Sequence, residues 1–306
     1  MRSLPPALVL LTALASAAIA APPPGLDTKQ IESATGATGA FDYKEGAFKV
    51  SLPRPDLGVT VAGVRLPPSM GAASWASFKR IGPNTVVMGD VIVGEDQVDH
   101  VMDAALNHGL NVTALHTHFL WASPQVLYMH VDGMGPEARI VQAMGAVFQA
   151  SRAAGDPAPE VKLDLSHSML DPARIDAVLR KKGDLQDGVY KIVWGRSTRM
   201  HGDAMGQTMG VNTWAAFAGS DDQAVVDGDF AMYEQELQSV LRALRGSRIH
   251  VTAIHQHMVS ETPRVMFLHY WGVGPTQALA EGLRAALEQT TTVRGRDNVV
   301  PVSRSR

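Results

Sequence analysis

Cysteine is absent from all 306 residues, which excludes disulfides, thiolate metal sites, a Cys nucleophile and lipid attachment through a lipobox cysteine. Any metal must be held by His, carboxylate or Met. A basic excess is absent as well: 27 Lys and Arg stand against 30 Asp and Glu, a formal charge of −3, so nucleic acid is not an expected partner. Beyond the N-terminus no apolar run is long enough to cross a membrane. What is present is an ordinary globular composition, 45% hydrophobic and 19% charged with 28 Gly and 18 Pro, at a length that suits two domains. The unusual count is 11 His.

At the start of the chain, Arg2 opens a short positive region, Leu8 to Ala17 is apolar, and Ala18-Ile19-Ala20 offers small residues for cleavage before Ala21-Pro22-Pro23-Pro24. This pattern predicts a removable secretory signal over residues 1–20, cleaved near Ala20, and a periplasmic or secreted protein with no stable membrane anchor.

The rest of the chain is a duplication. An offset of 139 residues aligns Met70 to Ala150 with Met209 to Gln289 without a gap. Met70-Gly71 matches Met209-Gly210, Trp75 matches Trp214, Phe78 matches Phe217, Gly89-Asp90 matches Gly228-Asp229, and Gly133, Gly135 and Pro136 match Gly272, Gly274 and Pro275. Upstream the likeness continues after a small shift, with Gly46-Ala47-Phe48-Lys49-Val50 facing Gly188-Val189-Tyr190-Lys191-Ile192. The resulting division is repeat 1 over 25–151, a Pro- and Gly-bearing linker over 152–169, repeat 2 over 170–290 and a polar tail over 291–306.

Each copy opens with a short helix near Asp27 or Asp171, followed by strand-like alternation and two hairpin-forming runs, Ser74 to Phe78 and Thr85 to Val93. The period then changes: Val98, Val101, Met102 and Ala105, like Leu237, Val240, Leu241 and Leu244, recur at helical spacing. Two strands follow, Leu110 to Phe119 and Gln125 to Val131, joined by a loop at Leu120 to Pro124. A second amphipathic helix then starts at Pro136, a residue suited to a first helical position. This order predicts an α+β fold: a tandem two-layer sandwich with a largely antiparallel sheet and helices on one face, partly ferredoxin-like. Two equal sheets, each with an apolar second face, are expected to cover one another with approximate two-fold symmetry.

His placement carries the chemistry. The first copy has His116-Thr117-His118 on one strand and His130 on the next; the second has His255-Gln256-His257 and His269 at the matched positions. His100, His108 and His250 have no such match, so these six outlasted the divergence of their neighbours. Strand residues two apart share a face. A hairpin centred near Ala122 places His116 opposite Tyr128, with His130 on the same face, and one centred near Glu261 does the same for His255, Phe267 and His269. Three imidazoles within about 5 to 8 Å of one another can hold Zn, Cu or Fe and leave a position open. Asp90 and Asp229 are candidates to orient an imidazole from behind. Trp75 and Trp214 read as core anchors. Glu261 and Arg264, matched by Ala122 and Gln125 in the first copy, are the candidate catalytic pair, a general base and an anion holder, which makes the second copy the better catalytic candidate.

The segments Val251-Thr-Ala-Ile-His255-Gln-His257-Met, Glu261-Thr-Pro263-Arg264, Phe267-Leu-His269-Tyr-Trp-Gly-Val-Gly274-Pro275 and Met209-Gly210-Val-Asn-Thr-Trp214-Ala-Ala-Phe217 resemble the LppY/LpqO-like family of exported bacterial proteins. The likeness spans almost all of the mature chain and implies no substrate. Thr117 and Gln256 stand where that family's pattern has Asn, Ala122 where it has Glu, and the lipobox cysteine is missing. Two readings of the sequence remain. One is an exported protein that binds a transition metal through paired His triads and acts as a metal-dependent enzyme on a small molecule. The other is a non-catalytic periplasmic binding or structural module whose His are buried polar fillers.

Overall fold

Alternation with a period of two, punctuated by helical stripes, fixes the elements of each copy. The computed structural model describes residues 25–291. The secretory signal and nearly all of the polar tail expected from the sequence lie outside the described residues. Repeat 1 contains α1 (Thr28–Thr35), β1 (Thr38–Asp42), β2 (Ala47–Pro53), β3 (Thr60–Val61), β4 (Val64–Arg65), β5 (Ala73–Ile81), β6 (Asn84–Gly94), α2 (Val98–Asn107), β7 (Asn111–His116), β8 (Ala122–Ser123), β9 (Val126–Gly135) and α3 (Glu137–Arg152). Repeat 2 contains α4 (Pro172–Leu179), β10 (Asp184–Gln186), β11 (Val189–Gly195), β12 (Thr198–Met200), β13 (Asp203–Met205), β14 (Asn212–Gly219), β15 (Ala224–Tyr233), α5 (Leu237–Gly246), β16 (His250–His255), β17 (Val265–Gly274) and α6 (Thr276–Leu287).

Local signals explain the boundaries. The Asp27 carboxylate accepts from the Gln30 N–H and that of Asp171 from the Ala173 N–H, capping α1 and α4 at matched positions. Pro136 and Pro275 sit one residue earlier than the sequence suggests: their ψ of 135° is not helical, so each caps a helix that begins at the next residue. The loop expected at 120–124 contains β8, which pairs with β3.

Twelve strands form one antiparallel sheet in the order β1-β2-β5-β6-β9-β7-β16-β17-β15-β14-β11-β10. Inward residues such as Ala76, Phe78, Val87 and Met129, with Phe217, Val226 and Leu268, join the stripes of all six α-helices in a single apolar core. Burying each such large side chain contributes roughly 1.5 to 3 kcal/mol.

The copies do not cover each other's sheets. They meet edge to edge through β7 and β16, where Leu115 pairs with Ile254. These two residues are the same position of the repeat, so antiparallel pairing puts a local two-fold axis through them, normal to the sheet. The symmetry is as expected; the mode of packing is not. Each copy ends its own sheet at β7 or β16, and joining these edges satisfies backbone groups that would otherwise need water or another chain. Arg245 adds ion pairs across the junction to Asp99 and Asp103, both at 2.8 to 2.9 Å.

The helix-free face is open in the middle and capped locally. The β4-β3-β8 sheet lies over Ile92, Val126 and Tyr128 in repeat 1. In repeat 2 the matching apolar cluster is Val211, Ala231, Val265 and Phe267, with Met205 of β13 packed against it.

Candidate metal centres

On the open face, cross-strand pairing brings Asp90 opposite His130, His130 opposite Ala114 and Tyr128 opposite His116. In repeat 2, Asp229 faces His269, His269 faces Ala253 and Phe267 faces His255. This is the register that the hairpin centres predict. A one-residue slip occurs in each strand between Val112 and Ala114 and between Val251 and Ala253. Both bulges lie before the His pairs and leave their facing intact. His118 and His257 lie just past the strand ends rather than within them. They are held instead by stacking, with ring centroids 3.3 Å from Tyr128 and 3.6 Å from Phe267.

In the first copy His116, His118 and His130 each present a ligand atom, all within 4.8 Å of one another. The Nε2 atoms of His116 and His130 are 3.2 Å apart. Two nitrogens bound at about 2.0 to 2.1 Å to a tetrahedral ion would stand about 3.3 to 3.4 Å apart. Asp90 closes the group, its Oδ2 3.8 Å from His118 Nε2 and its Oδ1 3.7 Å from His130 Nε2. The sequence reading placed Asp90 and Asp229 behind the imidazoles; both stand among them.

In the second copy the atoms within 4.8 Å of one another belong to Asp229, His255 and His257. Asp229 Oδ2 lies 3.6 Å from His257 Nε2. His269 is adjacent but differently turned. Its ring stacks on His255 at 4.8 Å and 24°, and its Nδ1 is 3.4 Å from the Gly228 carbonyl. The corresponding His116–His130 pair is edge-on, at 78°.

Hydrogen bonds to main chain hold the other nitrogens away from the centres. His116 Nδ1 lies 3.3 Å from the Thr117 carbonyl, His255 bonds to the Gln256 backbone and His257 to the Gly210 backbone. This is how metal-ligating imidazoles are oriented. It also gives the Met209-Gly210 motif a role at the centre that the sequence did not reveal. Burial pushes the His118, His255 and His257 imidazoles below their ordinary range, which favours the neutral form that presents a lone pair. Burial also pushes the Asp229 carboxyl up to about 7, with the His269 imidazole opposing the rise.

Buried polar atoms without a hydrogen-bond partner among the described residues include Asp90 Oδ1, Asp229 Oδ1, His255 Nε2 and Glu261 Oε2. Such atoms are costly unless something pairs with them. Asp90 Oδ1, Asp229 Oδ1 and His255 Nε2 lie at the two clusters, so the donor set fits a metal ion. Glu261 itself is buried, with Oε1 accepting from the Val265 N–H at 3.1 Å. Arg264 is exposed. Trp75 and Trp214 are half-buried on the open face rather than in the core, each with a lysine over its ring at 4.2 Å, Lys49 and Lys191.

A cleft of about 700 Å³ lies between the copies, beside Val98, Leu127, His250, Trp271 and the linker residues Asp156 to Pro159. No described helix is long and apolar enough to cross a membrane.

Residues 29–150 and 173–289 each match the family described as Domain of Unknown Function (DUF1259). The chain belongs to this family. Two matches on one chain coincide with the two copies, and both His clusters fall inside DUF1259 segments. No curated protein and no solved structure matches the chain. The DUF1259 description carries no activity, and the LppY/LpqO resemblance stays a resemblance beside it.

The metal-free protein should show a pH signature. The Asp229 pKa of about 7 lies above its unfolded value near 3.9, so the unfolded chain releases this proton first. The contribution of Asp229 to stability is therefore fully present below about pH 4 and is lost as pH rises through 7. Asp229→Asn removes that loss. In chelator-treated protein the urea midpoint of Asp229→Asn, relative to parent, should rise between pH 5 and pH 8; an unchanged difference would contradict the raised carboxyl.

Proposed function

We propose that the protein is exported and holds one transition metal ion per repeat. His116, His118, His130 and Asp90 form one centre; His255, His257, His269 and Asp229 form the other. The observation that carries this reading is the set of unpartnered buried atoms, Asp90 Oδ1, Asp229 Oδ1 and His255 Nε2: Asp229 and His255 belong to a group whose ligand atoms lie within 4.8 Å of one another, and Asp90 stands 3.7 to 3.8 Å from His130 and His118 of the other. His269 completes the second set by turning its ring from the stack on His255. Three imidazoles and one carboxylate suit a first-row divalent ion such as Zn, Cu or Fe. When bound, that ion supplies Lewis acidity or an activated water.

The chain's own residues do the rest. The carboxylates offset part of the ion's charge, and the backbone contacts of His116, His255 and His257 fix their tautomers. Of the two centres, the second is proposed as the one acting on a small molecule. Only that copy adds a buried carboxylate, Glu261, with an oxygen left to accept a proton, and an exposed Arg264 suited to an anionic group. Untagged protein purified from its native compartment should carry two equivalents of metal by elemental analysis, and its N-terminus should begin near Ala21. Glu261→Gln should lower any turnover found by substrate screening on the order of 100-fold or more while both metals remain. Protein with no bound metal, and no thermal response to added Zn, Cu or Fe, would reject the reading.

A further inference from the structure

The two centres share one face and one axis. Across the sheet run two rows of open-face residues: Trp75, Asp90, His130, Ala114, His255, Phe267; and Tyr128, His116, Ala253, His269, Asp229, Trp214. Because Leu115 pairs with Ile254, Ala114 lies in register with His255 and Ala253 with His116. Each alanine therefore separates a His of one copy from a His of the other. His130 and His255 stand two strands apart, about 9 to 10 Å between backbones at normal strand spacing. The strip between the centres has a floor of two methyl groups.

Comparison of the copies picks out the same strip. Trp75, Asp90, Ala114 and the three His are unchanged in the second copy, whereas their open-face neighbours Met88, Tyr128 and Asp132 became Asp227, Phe267 and Trp271. A larger side chain at Ala114 or Ala253 would stand between the clusters. Neither copy has acquired one. Charge adds the third element. A divalent ion with three neutral imidazoles and one carboxylate keeps one net positive charge, so the loaded face presents two cationic points with no carboxylate between them in either row.

We infer that the two copies build one composite binding site, in which a single dianion bridges both centres across the Ala114–Ala253 floor with one acidic group at each. The inference rests on the metal reading above and deepens it by naming the ligand class. A ligand already bound at one end meets the other centre as an intramolecular partner, and matched length raises its affinity without any new contact.

The test uses full-length protein carrying two metals, checked by elemental analysis before each titration. Linear dicarboxylates from succinate to sebacate are titrated calorimetrically, with hexanoate as the one-ended control. The expected result is one dicarboxylate per chain, and at least tenfold tighter binding for the longer members than for succinate or hexanoate. His116→Ala, which removes one centre, should bring the long dicarboxylates down to the hexanoate level. Ala114→Phe combined with Ala253→Phe should do so with both metals retained. Two dicarboxylates per chain, or affinity independent of length, would overturn the composite site while leaving the metal reading standing. Failure of elemental analysis to find metal would overturn both, and is seen before any titration. If the double Phe variant loses metal, Ala114→Leu alone provides the same readout with a smaller side chain.

Discussion

Metal-free protein supplied with its ion at roughly one hundred times the dissociation constant should gain about 2.7 kcal/mol of unfolding free energy per centre, and about 5 kcal/mol for two. Both gains should appear in one cooperative transition. The sheet runs unbroken through β7 and β16, and one apolar core contains residues of both copies, from Ile31 to Leu287. Neither repeat can then unfold without exposing an edge strand and part of the core of the other. His257→Ala should keep the transition single and halve the gain, because only the first centre remains; adding His118→Ala should abolish it. Urea unfolding followed by circular dichroism, with and without chelator, measures all three. Two resolved transitions, each responding to one substitution, would show that the copies are energetically separate despite their shared sheet.

A second large effect is expected away from the metals. Glu236 and Arg196 form a buried ion pair at 2.7 Å, with side chains only 7% and 4% exposed. The same carboxylate accepts the Tyr233 N–H and the Thr291 N–H, both at 2.8 Å. Glu236→Leu leaves Arg196 without this buried counter-charge and should cost about 3 to 5 kcal/mol. The first copy provides an internal control. There Gln97 takes the place of Glu236, accepting from Arg54 at 3.3 Å, while Arg54 keeps Asp56 as its counter-charge at 2.9 Å. Gln97→Leu should therefore cost less, about 1 to 3 kcal/mol. Equal costs for the two Leu substitutions, read from urea midpoints at constant m, would mean that the ion pair does not distinguish the copies.

Sequence reasoning reached the His clusters because hairpin register is local. Once the turns are placed near Ala122 and Glu261, counting outward decides that His116 faces Tyr128 and His255 faces Phe267, as observed. The same counting could not recruit Asp90 or Asp229. They arrive from β6 and β15, strands separated from the hairpin by a helix, and only the ladders Asp90 to His130 and Asp229 to His269 bring them in. The Gly-Asp pair matched in both copies marks them as partners of the imidazoles, but not their place among the rings. In repeat 2 that Gly lets the Tyr270 ring pack against the strand, since a Cβ on Gly228 would lie 2.1 Å from the Tyr270 hydroxyl. His269 shows the opposite limit, because register fixes its face but not the rotation of its ring.

The sequence alone determined the duplication, the change of period from strand to helix, the α+β class and the facing of the His pairs. All of these depend on spacing within a few residues or on one chain compared with itself. Only the tertiary structure decided that the copies join edge to edge, that Asp90 and Asp229 stand among the imidazoles, and that both centres open on one face about the Leu115–Ile254 axis. Backbone edges carry no residue code: β7 and β16 offer the same N–H and C=O groups as any strand. Which edges meet across 139 residues is settled by the burial of the whole core and the pairing of every other strand, not by local pattern.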